Sequence, residues 1–118
     1  MSKHNKIGIK GEQIAADYLL TKGYIILHRN WRSKRLEIDI IALKDDILAI
    51  VEIKTRSSKK TAFPEEAVTR RKQHYLKTAA ADFSELFPEY MNVRFDIVSI
   101  IIDKDEATEI LHFEEAFY

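Results

Sequence analysis

Two apolar stretches of this sequence carry charged residues at positions where a charge is costly to bury. Asp39 lies within residues 36–43, and the segment Glu52-Ile53-Lys54 ends residues 47–54. Side chains alternate along a strand, so Glu52 and Lys54 would share one face of a sheet. Because burial of an unpaired charge is unfavourable, the pattern indicates a purpose beyond packing. Two carboxylates and a lysine are residue types that can hold a divalent cation beside a phosphate group.

The pairing of the two stretches decides whether the carboxylates meet. The turn-like segment Lys44-Asp45-Asp46 between them predicts a β-hairpin. A loop with an even number of residues places Asp39 opposite Glu52. Opposed carboxylates repel each other, and a bound Mg²⁺ or Mn²⁺ ion would reverse that cost. A loop with an odd number places Asp39 opposite Val51, and the sequence leaves the two loops open.

A site of this composition suits phosphodiester hydrolysis. The metal would polarise the phosphate and lower the pKa of a water molecule, and Lys54 would orient that water, help to deprotonate it, or neutralise charge developing on the phosphate. The alternative is a salt-bridged sheet face, with Glu37 paired to Lys54 and Asp39 paired to a nearby arginine. An Asp…Glu-x-Lys pattern is short enough to arise by chance, so the residues alone leave both interpretations open.

The elements that would position these residues follow from periodicity. Residues 8–22 carry apolar side chains at helical spacing and stop at Gly23. The remaining expected elements are a short strand over 24–27, hairpin strands over 36–43 and 47–54, a polar basic loop over 55–63, a helix from Pro64 to about Phe83, and strands over 93–102 and 107–113. The apolar face of that second helix is predicted at Val68, Tyr75, Leu76, Ala79 and Phe83. This order predicts an α/β fold in one domain over residues 1–118, with helices packed on a central mixed β-sheet.

The charge of the chain is neutral in total but uneven along its length. Residues 1–81 hold 17 of the 19 Lys and Arg and 9 of the 19 Asp and Glu, a net charge of +8 that residues 82–118 balance with −8. Such asymmetry can give a neutral protein a basic face, although two solvated surfaces would also account for it. The absence of cysteine excludes disulfides and thiolate metal sites. With no apolar run of spanning length and no signal-peptide pattern, we expect a cytoplasmic protein with no membrane partner.

Basic residues flank the hairpin in sequence and are candidate contacts to a phosphate backbone. Trp31 lies among them and could stack on a base, although core packing is the simpler role. A basic cluster over residues 70–72 lies in the second helix, where a solvated face is the simpler account. The candidate nucleic-acid contacts are Arg29, Arg32, Lys34, Arg35, Arg56, Lys59, Lys60 and Lys72.

At the level of motifs, the hairpin resembles the PD-(D/E)xK nuclease motif, and the chain as a whole resembles the bacterial YraN-like family. Two departures stand in the motif: Ile38 replaces the proline before the aspartate, and Leu36 replaces the glycine that usually precedes Glu-Ile-Asp. The stretches that carry the family resemblance are residues 11–19, 23–27, 29–32, 37–42, 51–56, 64–68 and 94–98.

The resemblance implies a restriction-endonuclease-like fold similar to that of archaeal Holliday-junction resolvases. It implies Asp39 and Glu52 as metal ligands, Lys54 as the catalytic lysine, and Glu12 on the first helix as a further acidic residue of the site. Without the resemblance, Glu12 is an ordinary solvated helix residue. The implied cofactor is Mg²⁺ or Mn²⁺, the implied partner is DNA, and a homodimer is expected because such resolvases act on two-fold symmetric junctions.

Three functions therefore follow from the sequence. The first is a metal-dependent nuclease acting on DNA, for instance on branched or repair intermediates. The second is a nucleic-acid-binding module whose nuclease site is idle. The third is a protein-interaction domain that uses the acidic residues of its last third to bind a basic partner. Cleavage of DNA with added metal separates the first from the second, and DNA binding at low salt separates the second from the third.

Overall fold

In the part of the chain that the structure describes, the elements follow the predicted order of one helix, three strands, one helix and two strands. The computed structural model describes residues 6–57 and 68–118. Its elements are α1 (Lys6–Thr21), β1 (Ile25–Ser33), β2 (Leu36–Lys44), β3 (Ile47–Arg56), α2 (Arg70–Leu86), β4 (Asn92–Asp103) and β5 (Glu106–Phe117). Among these described residues, no helix has the length and apolarity needed to cross a membrane.

The five strands form one sheet in the order β1-β2-β3-β4-β5. β3 and β4 run parallel, joined by the connection that contains α2, and the other neighbouring pairs are antiparallel. One apolar core packs α1, through residues such as Leu19, on one face of the sheet. A second core packs α2, through residues such as Leu76 and Phe83, on residues of the other face. The predicted α/β class, with helices packed on a central mixed sheet, is confirmed.

The hairpin of β2 and β3 turns through two residues, Asp45 and Asp46, because Lys44 pairs with Ile47. Asp45 has a φ of 54°, a left-handed conformation that aspartate tolerates better than most residues and that tight hairpin turns require. Each opposed pair along the ladder therefore belongs to the even-loop register. Of the two registers that the sequence left open, the one that directs Asp39 towards Glu52 is confirmed.

The second helix begins later than the sequence predicts. Thr69 is its N-cap, with the hydroxyl oxygen accepting a hydrogen bond from the Lys72 N–H, so that Val68 is buried outside the helix. Residues 64–67 of the predicted helix lie outside the described residues. Tyr75, predicted to be part of the apolar face, is 43% exposed. The face that packs on the sheet consists of Leu76, Ala79, Ala80 and Phe83.

Three strands run well beyond their predicted ends, and one of them is β5, which continues from residue 113 to Phe117. β1 continues through Arg29, Trp31 and Arg32 to Ser33, whereas the sequence predicts only a short strand over 24–27. β3 includes Thr55 and Arg56, for which the sequence predicts a loop, and residues 58–63 of that predicted loop lie outside the described part of the chain. The sequence does not predict these extensions because strand periodicity is read from apolar residues, and the extended segments are rich in polar side chains.

Gly11 sets the distance between α1 and the sheet. A methyl group added at Gly11 would lie 2.9 Å from Thr55 Cγ2 and 3.0 Å from Thr55 Cβ. Rotation of the Thr55 side chain cannot remove the second contact, because Cβ is fixed to the β3 backbone. Gly11 therefore allows the helix that carries Glu12 to approach β3 next to Lys54.

Gly11→Ala should lower the free energy of unfolding by about 1–3 kcal/mol, the range for overpacking a close contact. At an unhindered helix position the same change raises stability by about 0.4–1 kcal/mol, so the sign of the effect is diagnostic. Urea denaturation measures it. In a Thr55→Ala background, with its own single variant as reference, the same substitution should cost less. A Gly11→Ala protein as stable as the parent would contradict the close packing.

Candidate functional site

The β2 and β3 strands separate beyond the pair Ile40 and Val51, where their ladder ends. From that point β2 continues along β1 as far as Leu36, and β3 continues along β4 as far as Arg56. Neighbouring strands that pair outwards on both sides leave an opening between them. We call this opening, with the side chains of Asp39, Glu52, Lys54 and Lys72 around it, the fork.

Asp39 and Glu52 are the first residues of β2 and β3 beyond the last pair. Asp39 Oδ2 accepts a hydrogen bond of 2.8 Å from the backbone N–H of Ile53. The carboxylate thus satisfies a backbone donor that a continued ladder would have satisfied with a carbonyl. The same contact holds Asp39 inside the fork and towards β3, so the sequence-predicted acidic pair is brought together.

Glu52 is almost fully buried, with 4% of its surface exposed. Its Oε2 atom lies 3.6 Å from Lys72 Nζ and 3.9 Å from Lys54 Nζ. Its Oε1 atom is buried and has no hydrogen-bond partner in the described structure. A buried carboxylate oxygen without a donor is costly, and a cation is the kind of partner that would satisfy it.

Burial raises the pKa of both carboxyl groups of this acidic pair. Burial, followed by the negative charge of Glu52, raises the pKa of Asp39 from 3.8 to about 8 against the opposing effects of the Ile53 N–H and Lys72. Burial likewise raises the pKa of Glu52, although Lys72 and Lys54 oppose it. Two neighbouring carboxyl groups that resist joint ionisation are an arrangement that a divalent cation stabilises.

Glu12 lies on α1 near the fork but apart from the pair. Its negative charge contributes to the raised pKa of Asp39, and its Oε1 is 3.5 Å from Asn30 Nδ2. Asn30, with a φ of 52°, falls between the β1–β2 pairs that flank Asp39. Within residues 6–57 and 68–118, no three Asp, Glu or His side chains form a group that could hold a metal ion. The predicted acidic set is therefore a close pair with Glu12 at a distance.

Lys72 is the site residue whose position the sequence did not reveal. The sequence predicts Lys72 to be a phosphate contact on a face that could simply be solvated, whereas in the structure its Nζ lies beside Glu52. In a strand–helix–strand connection the start of the helix lies near the end of the preceding strand. Lys72 is in the first turn of α2, and Glu52 and Lys54 are near the end of β3. Recognition of Thr69 as the N-cap would have placed Lys72 in the first turn of α2 and so near Glu52.

The remaining basic candidates divide into exposed and engaged side chains. Lys34 and Arg35 are exposed in the β1–β2 turn, where Lys34 has a φ of 58°. Arg29 donates a hydrogen bond to Gln13 Oε1, and Arg56 donates one to the buried Ser99 hydroxyl. Lys59 and Lys60 lie outside the described residues.

Cross-strand ion pairing involves Glu37, as the salt-bridged interpretation suggested, but with Arg32 as the partner at 3.7 Å. Lys54 contacts Glu52 on its own strand. Trp31 packs against Phe83, with ring centroids 5.3 Å apart, so it belongs to the core of the α2 face rather than to a base-stacking surface.

A second polar cluster surrounds Asp96, which is fully buried in β4. Arg94 donates two hydrogen bonds of 2.8 Å to its carboxylate, and His112 Nε2 lies 2.8 Å from Oδ2. The N–H of Glu115 donates to Oδ1 at 3.1 Å. Burial raises the pKa of Asp96, but the hydrogen bonds from His112 and Arg94 outweigh it and leave the pKa below 3.8. With its acceptors engaged, Asp96 joins β4 to β5 and does not resemble the fork.

Comparisons with known proteins find a matching family and a distantly similar solved structure. The model of the uncharacterised protein family UPF0102 matches residues 11–100. A UPF0102 protein of Bacteroides fragilis is 45% identical over all of this chain and 97% of its own length. A UPF0102 protein of Bacteroides thetaiotaomicron has the same identity and coverage. The structure of Pyrococcus furiosus SfsA in complex with Ca²⁺ is 13% identical, with a TM-score of 0.33, and 90% of this chain aligns with 62% of that one.

The raised pKa of Asp39 predicts that the free energy of unfolding depends on pH. The folded chain holds a proton on Asp39 up to about pH 8, whereas the unfolded chain releases it near pH 4. The unfolded state therefore binds fewer protons in this window, and stability should fall as pH rises from about 4 to about 8. Urea denaturation between pH 5 and pH 8.5 measures the slope. Asp39→Asn, which keeps an acceptor for the Ile53 N–H, should flatten it, and equal slopes in both proteins would contradict the raised pKa.

Proposed function

We propose, from the premise that this chain belongs to the uncharacterised protein family UPF0102, that the fork is the active site of a metal-dependent nuclease acting on DNA. Family membership confirms the resemblance to the YraN-like family but brings no activity with it, since fold and family do not fix function. The case for the activity comes from the side chains of the fork.

The observation that carries the proposal is the buried Glu52 Oε1 without a donor, beside a carboxyl group of raised pKa. The donor set fits Mg²⁺ or Mn²⁺, which take one or two protein carboxylates and complete their coordination with water and substrate phosphate. Asp39 Oδ2 is already engaged by Ile53, which orients the carboxyl group and leaves Oδ1 for a cation. Asp39 and Glu52 would hold the metal.

The chemistry divides between the metal and the lysines. A metal bound here would supply Lewis acidity to a phosphate and make an attacking water more acidic. Lys54, next to Glu52, would orient the water and neutralise charge that develops on the phosphate. Lys72, whose ammonium group lies 3.6 Å from Glu52 Oε2, would hold a phosphate oxygen of the DNA. Glu12 would tune the acidity of Asp39 through its charge.

DNA as the partner is supported by the basic residues near the fork. Lys34 and Arg35 are exposed at the β1–β2 turn, and Arg32 has 48% of its side chain exposed. Such groups neutralise phosphates and give affinity that falls with salt. The pairing of two copies on a symmetric substrate remains an expectation of the family resemblance.

A cleavage panel tests the proposal. Linear duplex, branched and single-stranded DNA would be incubated with Mg²⁺ or with Mn²⁺, and products resolved on denaturing gels. At least one DNA form should be cut with metal and none with chelator. Glu52→Gln should abolish cleavage, and Lys54→Ala should slow it by about 10²–10³-fold, the usual effect of removing one group that stabilises charge in the transition state.

Matched variants away from the fork serve as controls. Glu89→Gln changes an exposed acid, and Lys77→Ala changes an exposed lysine of α2; both should retain the parent cleavage rate. If no DNA form is cut with either metal, or if Glu52→Gln cuts as fast as Glu89→Gln, the nuclease proposal fails. DNA binding that persists without cleavage would then favour the idle-site module.

A further inference from the structure

A cleft of about 230 Å³ lies between the β1–β2 turn and α2 and reaches the fork at Lys72. We propose that this cleft binds one unpaired nucleotide next to the phosphate that is cut, which makes DNA with single-stranded positions the substrate class. The inference rests on the proposed function and adds to it the structure of the DNA. The cleft is lined by Arg32, Arg35, Leu36, Glu37, Lys72, Tyr75 and Leu76.

The location of the cleft follows from how the turn is held. Ser33 donates a hydrogen bond of 2.6 Å to Asp82, which ties the end of β1 to α2. Lys72 and Tyr75 are three residues apart on α2, and so lie on neighbouring parts of one helix face. Lys72 lines the cleft, and its Nζ lies 3.6 Å from Glu52 Oε2. A group bound in the cleft is therefore adjacent to the fork.

Tyr75 supplies the aromatic surface. It is 43% exposed and belongs to neither described core, although its helix is otherwise apolar on the side that faces the sheet. Leu36 and Leu76 add apolar surface. Exposed aromatic rings beside apolar side chains are the usual platform for an unstacked base, because each base has a π-face. Trp31, the aromatic residue that the sequence suggested, is packed in the core and cannot serve.

The charges of the cleft match a nucleotide rather than a neutral ring alone. Arg32, Arg35 and Lys72 supply positive charge for the phosphates on either side of the base. Glu37, the partner of Arg32, places a carboxylate beside the same cleft and can accept hydrogen bonds from an exocyclic amino group. Cations outnumber this carboxylate three to one among the lining residues, so an anionic ligand is favoured.

The size of the cleft limits what can occupy it. Its volume is below the 300–1,000 Å³ that is typical of pockets for drug-sized ligands, so it suits one base and not a base pair. In a duplex the base would have to be unstacked first, which costs free energy. Single-stranded ends, flaps and bulges avoid that cost. DNA with such positions should therefore bind more tightly and be cut in preference to blunt duplex.

The test is binding of fluorescent DNA in chelator, so that no cleavage occurs. The probes are a single strand, a blunt duplex of the same sequence, and a duplex with a short flap, measured by anisotropy. Tyr75→Ala should weaken single-strand and flap binding by about 5- to 150-fold, the range for loss of one base–aromatic stack, and leave blunt duplex unchanged. Tyr75→Phe should bind like the parent. Tyr75→Leu, which keeps an apolar side chain without a ring, should behave like Tyr75→Ala.

Stacking itself can be observed with 2-aminopurine placed in the single strand. Its fluorescence should be quenched further by the parent than by Tyr75→Leu. Tyr118→Ala is the matched control. It removes a tyrosine that is 83% exposed and does not line the cleft, so it should change neither readout. Arg35→Ala should make the dependence of log binding constant on log salt concentration less steep by about one on every probe, because one phosphate contact is lost.

The outcomes separate this inference from the proposed function. Equal losses for duplex and single strand in Tyr75→Ala, or no loss at all, would overturn the nucleotide cleft, even if metal-dependent cleavage is found. Tyr75-dependent binding of single strands, without cleavage under either metal, would support the cleft and overturn the nuclease. Preferential cutting of flap over blunt duplex that disappears in Tyr75→Leu would support both.

Discussion

The separation of β2 from β3 beyond Ile40 and Val51 is the constraint on which the candidate site depends. A continuous ladder would have used the Ile53 N–H in the sheet and left no room for a side chain. Instead Asp39 accepts that hydrogen bond, and the carboxyl group occupies the opening. One contact of 2.8 Å therefore both terminates the ladder without an unpaired backbone donor and fixes one half of the acidic pair.

The charges around this opening are balanced only in part. Burial and repulsion act against the ionised pair, and Lys72 and Lys54 act for it, yet the pKa of each carboxyl group stays raised. A structure selected for stability alone would satisfy Glu52 Oε1, because a buried acceptor without a donor costs free energy. The Asp96 cluster shows the contrast in the same sheet, since its carboxylate is hydrogen-bonded by Arg94 of β4 and by His112 and Glu115 of β5. The fork keeps a buried carboxylate oxygen without a donor, whereas the Asp96 carboxylate is fully hydrogen-bonded. This difference is expected between a functional site and a structural one.

Much of this arrangement could be predicted from the sequence, because it depends on local patterns. Alternating apolar residues gave the hairpin, and the short Asp45-Asp46 turn limited its register to two possibilities. Contacts between residues distant in sequence were harder to predict. Lys72 was missed as a partner of Glu52 because the start of α2 was placed at Pro64, which moved Lys72 out of the first turn. The spacing of Tyr75 fits the apolar face and so predicts a core residue, and only the position of the β1–β2 turn shows that Tyr75 borders a cleft.

Calorimetric titration of Mn²⁺ into the parent protein, Asp39→Asn and Glu52→Gln tests whether the fork is a divalent-cation site. We expect saturable binding to the parent at pH 7, with release of protons because the acidic pair must ionise, and loss of that binding in both variants. Glu89→Gln should bind as the parent does. Absence of binding to the parent, or equal binding to Glu52→Gln, would show that the fork is not a divalent-cation site.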